Sequence, residues 1–89
     1  MSRHELTSRD AANRHLDIAI GWDRPLNTHF VQVLDPTRDE EEPGSEILWR
    51  GTSFGKILLA DDAIALAIPW ADIPTDLRAL LILDRIRTA

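Results

Sequence analysis

The sequence predicts a small α+β domain in which a three-stranded antiparallel meander sheet is followed by two C-terminal helices packed on one of its faces. Two stretches of alternating apolar and polar residues, 16–23 and 28–34, flank a run of turn residues and predict a β-hairpin. Beyond residue 60 the apolar residues recur at helical spacing instead. A chain of 89 residues has the length of one domain.

Residues 1–15 are predicted to form a flexible N-terminal arm, and residues 16–89 the single domain. The arm mixes arginines with acidic residues and contains few apolar ones. Chain ends without apolar anchors are usually poorly ordered. Two alternatives follow, namely an unpacked terminus or a segment that becomes ordered when it contacts a partner.

The predicted hairpin contains a four-residue loop over residues 24–27, and the proline in it has the fixed φ angle that such a turn uses. This loop length pairs Ile20 with Val31 and places the apolar side chains of both strands on one face of the sheet. A five-residue loop would divide that apolar set between the two faces, so the four-residue loop is preferred. On the other face, Gly21 then lies opposite Phe30.

The net charge of the chain, −5, is concentrated in an acidic loop over residues 35–46. This loop contains six acidic residues and one arginine, Arg38, so its own net charge equals that of the whole chain. The acidic residues are Asp35, Asp39, Glu40, Glu41, Glu42 and Glu46. Since the other residues balance to zero, the chain lacks the clustered basic residues that binding to nucleic-acid phosphates requires.

A third strand is predicted over residues 46–50, with Ile47 and Trp49 on one side and Leu48 on the other. A glycine directly after it ends the strand. Residues 54–59 are ambiguous, since they fit either a short fourth strand or an irregular segment that leads to the helices.

The first helix is predicted to begin at Asp61 or Asp62, whose carboxylates suit the positive end of the helix dipole. Pro69 removes one intrahelical hydrogen bond and predicts a kink or an early end. Five residues at helical spacing form the expected buried stripe, namely Ala60, Ile64, Ala67, Ile68 and Ala71.

The second helix is predicted over residues 74–86, with Pro74 in its first turn. Its apolar residues cover more than one face, which exceeds the single stripe of a helix on the surface of a small domain. The helix is therefore either buried between the sheet and the first helix or in contact with a second copy of the chain. In the second case the dimer contacts are expected at Leu80, Leu83 and Ile86.

No catalytic residue, cofactor site or metal site is predicted, and the protein is expected not to be an enzyme. The chain has no cysteine, and its three histidines lack the spacing of metal ligands. None of its serines lies in a G-x-S-x-G motif. Asp23 and His29 meet at the end of the predicted hairpin, where a local hydrogen bond is far more common than an acid–base pair.

A cytoplasmic location without membrane contact is expected. The chain has no run of about 18 apolar residues that could span a bilayer. Its polar N-terminus has no apolar signal-peptide core, and the absence of cysteine fits a reducing compartment.

The residues expected to bind a partner protein lie on the hairpin and in the acidic loop: Asp23, Arg24, Phe30, Asp39, Glu40, Glu41 and Glu42. Phe30 is expected to form an exposed patch with Leu34 and Leu48, because aromatic anchors dominate the energetics of protein interfaces. The alternative is that the helices or a second copy of the chain cover this patch. If the patch is exposed, replacing Phe30 with Ala weakens partner binding and leaves the melting temperature nearly unchanged.

The stretch IAIGWDRPLNTHFVQVLD, followed by ILWRGT and by a helix that begins Ile-Pro-x-Asp-Leu, resembles small uncharacterised proteins of proteobacterial conjugative plasmids and integrative elements. The resemblance covers residues 16–85, and the Gly-Trp-Asp-Arg-Pro-Leu segment is its most specific part. It transfers no functional residue. It implies an accessory protein of a mobile element, a group whose members often bind and block host machinery.

These observations favour a non-enzymatic protein-binding module that binds and inhibits or regulates a host protein complex, in the manner of anti-CRISPR or antirestriction proteins. The expected partner is another protein, in particular a nucleic-acid-binding complex whose basic surface the acidic loop would occupy, with no direct binding to nucleic acid. A structural homodimer without an inhibitory role is the alternative. A small-ligand sensor or a minimal enzyme is a further alternative, disfavoured because few polar residues converge.

Overall fold

The computed structural model describes residues 2–39 and 43–88 as a four-stranded antiparallel sheet with two helices on one face. The strands follow one another in space as they do in sequence. Their bounds are β1 His4–Leu6, β2 Asp17–Asp23, β3 Thr28–Leu34 and β4 Glu46–Arg50; the helices are α1 Ala60–Ala67 and α2 Leu77–Thr88. The predicted α+β class is confirmed.

The sheet has one strand more than the three that the sequence predicts. The additional strand, β1, falls within residues 1–15, and it pairs with β2 through His4–Ile20 and Leu6–Ile18. The sequence pattern does not predict this strand, because three residues with polar neighbours are too few to show an alternation of apolar and polar side chains. Contacts from elsewhere in the chain secure it.

Residues 2–15 lie along the domain, which differs from the arm that the sequence predicts. Ser8 forms an isolated bridge with Ala71, next to the backbone hydrogen bond from Arg9 to the carbonyl oxygen of Trp70. A single 3-10 turn, Ala11–Asn13, then leads into β2, with Asp10 as its cap. The segment thus connects the sheet to the residues that follow α1.

The predicted hairpin register is confirmed, with Ile20 opposite Val31 and Gly21 opposite Phe30 across a four-residue loop. Asn27 takes a positive φ of 49° in this loop, a conformation that asparagine tolerates better than most residues. The branched residues Ile18, Ile20, Val31 and Val33 therefore share the face that carries the helices.

Helix α1 lies close to the sheet because alanines form its buried stripe. Ala60, Ala63 and Ala67 are buried, whereas Ile68, predicted to belong to the stripe, follows the helix and is 46 % exposed. The core that α1 and α2 share with the sheet includes Ile20, Val31, Ile57, Leu77 and Leu81.

The helix bounds differ slightly from those predicted. Helix α1 begins at Ala60, one residue before the earlier of the two predicted starts, and ends before Pro69, as the proline predicts. Helix α2 begins at Leu77, three residues later than predicted, since the carbonyl oxygen of Pro74 accepts a hydrogen bond from the Leu77 N–H in a preceding turn.

Residues 54–59 form the irregular crossing that was one of the two alternatives, and they continue the loop that begins at Gly51. The crossing is fixed to the start of β3, where His29 N–H donates to the Ile57 carbonyl oxygen at 2.8 Å. Gly51 has a positive φ of 84°, and a Cβ atom there would lie 2.0 Å from the His29 carbonyl oxygen. Only glycine fits this close approach.

In the described parts of the chain, neither helix has the length and apolar character that crossing a membrane requires.

Candidate functional site: the open face of the sheet

The face of the sheet opposite the helices, called here the open face, is the candidate site. Residues that pair across the four strands lie side by side on this face. One such row consists of Glu5, Ala19, Gln32 and Trp49. Both described helices lie on the other face, so only side chains of the strands and of residues near them cover this one.

Small residues on β2 form a furrow in the open face. The ring of Phe30 lies over Gly21, because a Cβ atom at that position would be 2.8 Å from the Phe30 Cε1 atom and 2.2 Å from the carbonyl oxygen of Ser2. Arg3 crosses the strand beside it and donates from Nη1 to Gln32 Oε1 at 3.0 Å and from Nε to Glu5 Oε1 at 2.8 Å. These contacts hold the floor of the site in one arrangement.

The predicted exposed patch of Phe30, Leu34 and Leu48 is wrong. Phe30 lies on the predicted face but is only 6 % exposed, and its ring packs over Gly21 of β2. Leu48 pairs with Val33 and therefore points to the helix side. A bulge opposite Leu34 and the long preceding loop set this register, and neither feature can be read from the strand's own residues.

Trp49 is an exposed aromatic residue of the open face, at 45 % exposure, and the sequence analysis did not select it. It lies between two adjoining grooves that share its side chain and Gln32. The first, of about 390 Å³, extends towards the hairpin loop past Asp23 and Leu26. The second, of about 680 Å³, extends towards the acidic loop past Glu46.

The second groove is acidic. Three carboxylates line it, those of Asp17, Asp35 and Glu46, against one arginine, Arg38. The Thr37 hydroxyl donates to Asp35 Oδ1 at 2.5 Å and is the main reason that the pKa of Asp35 lies below its usual value. Asp35 therefore stays ionised at neutral pH, and Arg38 Nε at 3.5 Å offsets part of its charge.

The structure separates the predicted partner-binding residues into two ends of the open face. Asp23 lines the first groove, and Arg24 is exposed in the hairpin loop beside it. Asp39 is exposed beyond the far end of β3, whose seven residues span about 20 Å. Glu40, Glu41 and Glu42 lie outside the described residues.

His29 does not meet Asp23, so the predicted local hydrogen bond is not the one observed. Its buried ring lies on the helix side, edge-on to Trp22 with the ring centroids 4.9 Å apart. The Nδ1–H group donates to the Gly21 carbonyl oxygen at 3.3 Å. Burial lowers the pKa of His29, because the neutral ring needs less solvation than the charged one.

The residues predicted as dimer contacts lie on α2. Leu80 is half-buried, while Leu83 and Ile86 are 41 % and 66 % exposed. Ile86 also lines a groove of about 270 Å³ on the helix side, together with Arg78 and Arg85. In both described ranges, no group of three or more histidine and acidic residues is arranged to hold a metal ion.

These elements define an α+β protein whose antiparallel sheet is covered by helices on one face and open on the other. Comparison of the chain with protein-family models, with curated proteins and with solved structures gave no match.

Proposed function

We propose that this protein is a non-enzymatic protein-binding module that docks its open face on a basic surface of a partner protein. The observation that carries this proposal is the position of Trp49, which is half-exposed between two grooves, one of them lined by carboxylates. In the form that agrees with the sequence resemblance, it is a mobile-element accessory protein that inhibits or regulates a nucleic-acid-binding complex of its host.

The surroundings of Trp49 suit an interface anchor. Tryptophan is enriched among the residues that contribute most to protein binding, because it buries a large apolar area with few rotatable bonds. The groove beside it has a floor that the Phe30 ring and the Arg3–Gln32 hydrogen bond already fix. A site with its floor ordered before binding loses less conformational entropy when the partner arrives.

The charge of the site favours a cationic partner. Asp17, Asp35 and Glu46 line the groove beside Trp49, and the acidic loop that begins at Asp35 carries the whole net charge of the chain. A protein surface that normally binds nucleic-acid phosphates has the complementary charge. Complementarity of this kind mainly accelerates association, and it weakens as added salt screens the charges.

The proposal is tested by affinity capture from a proteobacterial host lysate, followed by binding measurements with the protein that is captured. Replacing Trp49 with Ala is expected to lower the affinity at least tenfold. The triple variant Glu40→Gln, Glu41→Gln, Glu42→Gln is expected to lower the association rate and to flatten its dependence on salt.

The matched control removes the same charge from the helix side through Asp62→Asn, Asp72→Asn and Asp76→Asn, all at exposed positions. This variant should bind like the wild type at moderate salt. An equal loss of association rate in the control and in the acidic-loop variant would show that net charge alone drives binding. An undiminished affinity after Trp49→Ala would exclude the open face as the docking site.

A further inference from the structure

We propose that the open face binds one arginine side chain of the partner protein, over Leu34, between Asp17 and Glu46 and against the ring of Trp49. This place is called here the arginine site. The inference rests on the proposed function and narrows it, because it names the chemical group that the partner presents. It differs from a general attraction between acidic and basic surfaces, since arginine and lysine then bind unequally.

Two acidic residues and one leucine form a single row across the open face. Asp17 of β2 pairs with Leu34 of β3, and Leu34 pairs in turn with Glu46 of β4. Neighbouring strands lie about 4.8 Å apart, so the backbones of the two acidic residues are separated by roughly 10 Å. All three residues line the second groove, in which Leu34 is half-buried. The carboxylates therefore lie on either side of an apolar floor.

The adjacent row of the same face already contains an arginine in such an arrangement. Arg3 donates from Nε to Glu5 Oε1 at 2.8 Å and from Nη1 to Gln32 Oε1 at 3.0 Å. Glu5 and Gln32 lie on alternate strands, β1 and β3, with Ala19 of β2 between them. A guanidinium group thus bridges two acceptors across the residue that separates them. The two carboxylates around Leu34 repeat this spacing one row further along the sheet.

In the part of the chain that the structure describes, the two carboxylates of the arginine site lack a cation. Neither Asp17 nor Glu46 takes part in an ion pair there, and both residues are exposed. Arg38 also lines the groove but is engaged elsewhere. Its Nε atom lies 3.5 Å from Asp35 Oδ2, and its Nη1 atom donates to the Pro43 carbonyl oxygen at 3.3 Å. The site is therefore complementary to a cation from another molecule.

The ring of Trp49 distinguishes arginine from lysine. Trp49 lines the same groove, is half-exposed, and lies one row from Glu46 on β4 because it pairs with Gln32. A planar guanidinium group stacks on an indole ring and has enough donors to reach two carboxylates at once, while the apolar stem of the side chain covers the leucine. The ammonium group of lysine is a compact, strongly hydrated charge without a planar face. The site is therefore expected to prefer arginine.

The exposure of the arginine site limits its affinity. Ion pairs between exposed groups contribute little to binding, and added salt screens them. A single arginine side chain is therefore expected to bind with a dissociation constant of about 1–10 mM. Tighter binding of a partner protein requires contacts with the rest of the open face.

Titrations followed by NMR test the arginine site without the partner protein. The probe is a capped pentapeptide with one central arginine among glycines, added to the isotope-labelled full chain at constant ionic strength. It is expected to shift the indole N–H signal of Trp49, which the variant Trp49→Phe identifies. A lysine peptide is expected to bind at least about threefold more weakly. A citrulline peptide, which has nearly the same shape but no charge, is expected to bind at least about tenfold more weakly.

Two substitutions of similar shape test the carboxylates. Asp17→Asn and Glu46→Gln are each expected to weaken binding of the arginine peptide about threefold, because each removes one exposed charge. Asp62→Asn, at an exposed position on the helix side, is the matched control and is expected to bind like the wild type. The spectrum of each variant also shows whether it is folded.

Three results would overturn the arginine site. These are equal binding of the arginine and lysine peptides, a Trp49 signal that does not move up to about 20 mM peptide, and equal losses of affinity in Asp62→Asn and in both carboxylate variants. The first result would leave docking on a basic surface intact, because charge alone would then select the partner. Failure of the affinity capture would leave the peptide result intact, so the two failures can be told apart.

Discussion

Phe30 and Trp49 lie on the same face of the sheet and differ sharply in exposure. Phe30 fills the furrow over Gly21 and is almost fully buried. Trp49 is half-exposed on the neighbouring strand β4, opposite Gln32. Burial gives Phe30 a part in the stability of the fold, and the proposed function gives Trp49 the part of binding anchor on the same surface.

We expect Phe30→Ala to lower the free energy of unfolding by about 3 kcal/mol, the usual cost of truncating a buried phenylalanine. Trp49→Ala should change it by less than about 1 kcal/mol, because the side chain is half-exposed. Urea denaturation of both variants checks this. Comparable losses of unfolding free energy in the two variants would contradict this difference between Phe30 and Trp49. The prediction replaces the earlier expectation that Phe30→Ala leaves the melting temperature nearly unchanged.

The buried ring of His29 makes stability depend on pH. Its pKa is lowered chiefly by burial and also by the nearby Arg85, while the Gly21 carbonyl oxygen and Asp84 act in the opposite direction. The unfolded chain therefore binds a proton at a higher pH than the folded one. Stability is fully present above the ordinary pKa of about 6.5 and falls as the pH decreases from there towards the lowered folded pKa.

We expect the free energy of unfolding of the wild type to decrease between pH 7.5 and pH 5, with a slope from this group of at most about 1.4 kcal/mol per pH unit. His29→Gln should reduce the slope. His15→Gln, at an exposed position, is the control and should retain the wild-type slope. An unchanged slope in His29→Gln would show that other groups cause the dependence.

At the scale of elements, a contact between β1 and α2 holds the N-terminal strand in place. His4 Nε2 lies 2.6 Å from Asp84 Oδ2, and both side chains are mostly shielded from solvent. Burial on its own would raise the pKa of Asp84, but hydrogen bonds from His4 and Ser2 outweigh it and leave the pKa below its usual value.

Replacing Asp84 with Asn should cost about 1–2 kcal/mol of unfolding free energy at pH 7, since a hydrogen bond to a charged group is lost. The contribution of the carboxylate is present above about pH 3.8 and disappears as the pH falls through the lowered folded pKa. The difference between wild type and variant should therefore shrink in strong acid. Asp62→Asn, at an exposed position, should show no comparable difference, and equal stabilities at pH 7 would contradict the role of Asp84.

Elements with a long periodic pattern could be predicted, and those fixed by distant partners could not. The hairpin register follows from alternation over seven-residue strands and a four-residue loop. Strand β1 depends on Asp84, 80 residues away, and no local pattern reports such a contact. The prediction that Leu48 lies on the open face was wrong for a related reason, because the bulge opposite Leu34 determines which residues of β4 face the helices.

At the scale of the whole molecule, the chain is a thin slab, with extents of 35, 29 and 16 Å. One sheet and one layer of helices account for the short dimension, since packed layers lie about 10 Å apart. The acidity of one part of the surface could be predicted from charge counting alone. Which aromatic residue stands beside it could not, because exposure depends on how the four strands are aligned.

The contact between His4 and Asp84 also bears on the order in which the chain folds. It closes a loop of 80 residues, about four doublings longer than the hairpin loop, which adds roughly 2.5 kcal/mol of closure entropy. The hairpin can therefore form long before this contact does. Until β1 is secured, the outer edge of β2 has no partner strand among residues 2–39 and 43–88, and the outer edge of β4 has none either, so the half-folded chain exposes both sides of the hairpin-based sheet at once.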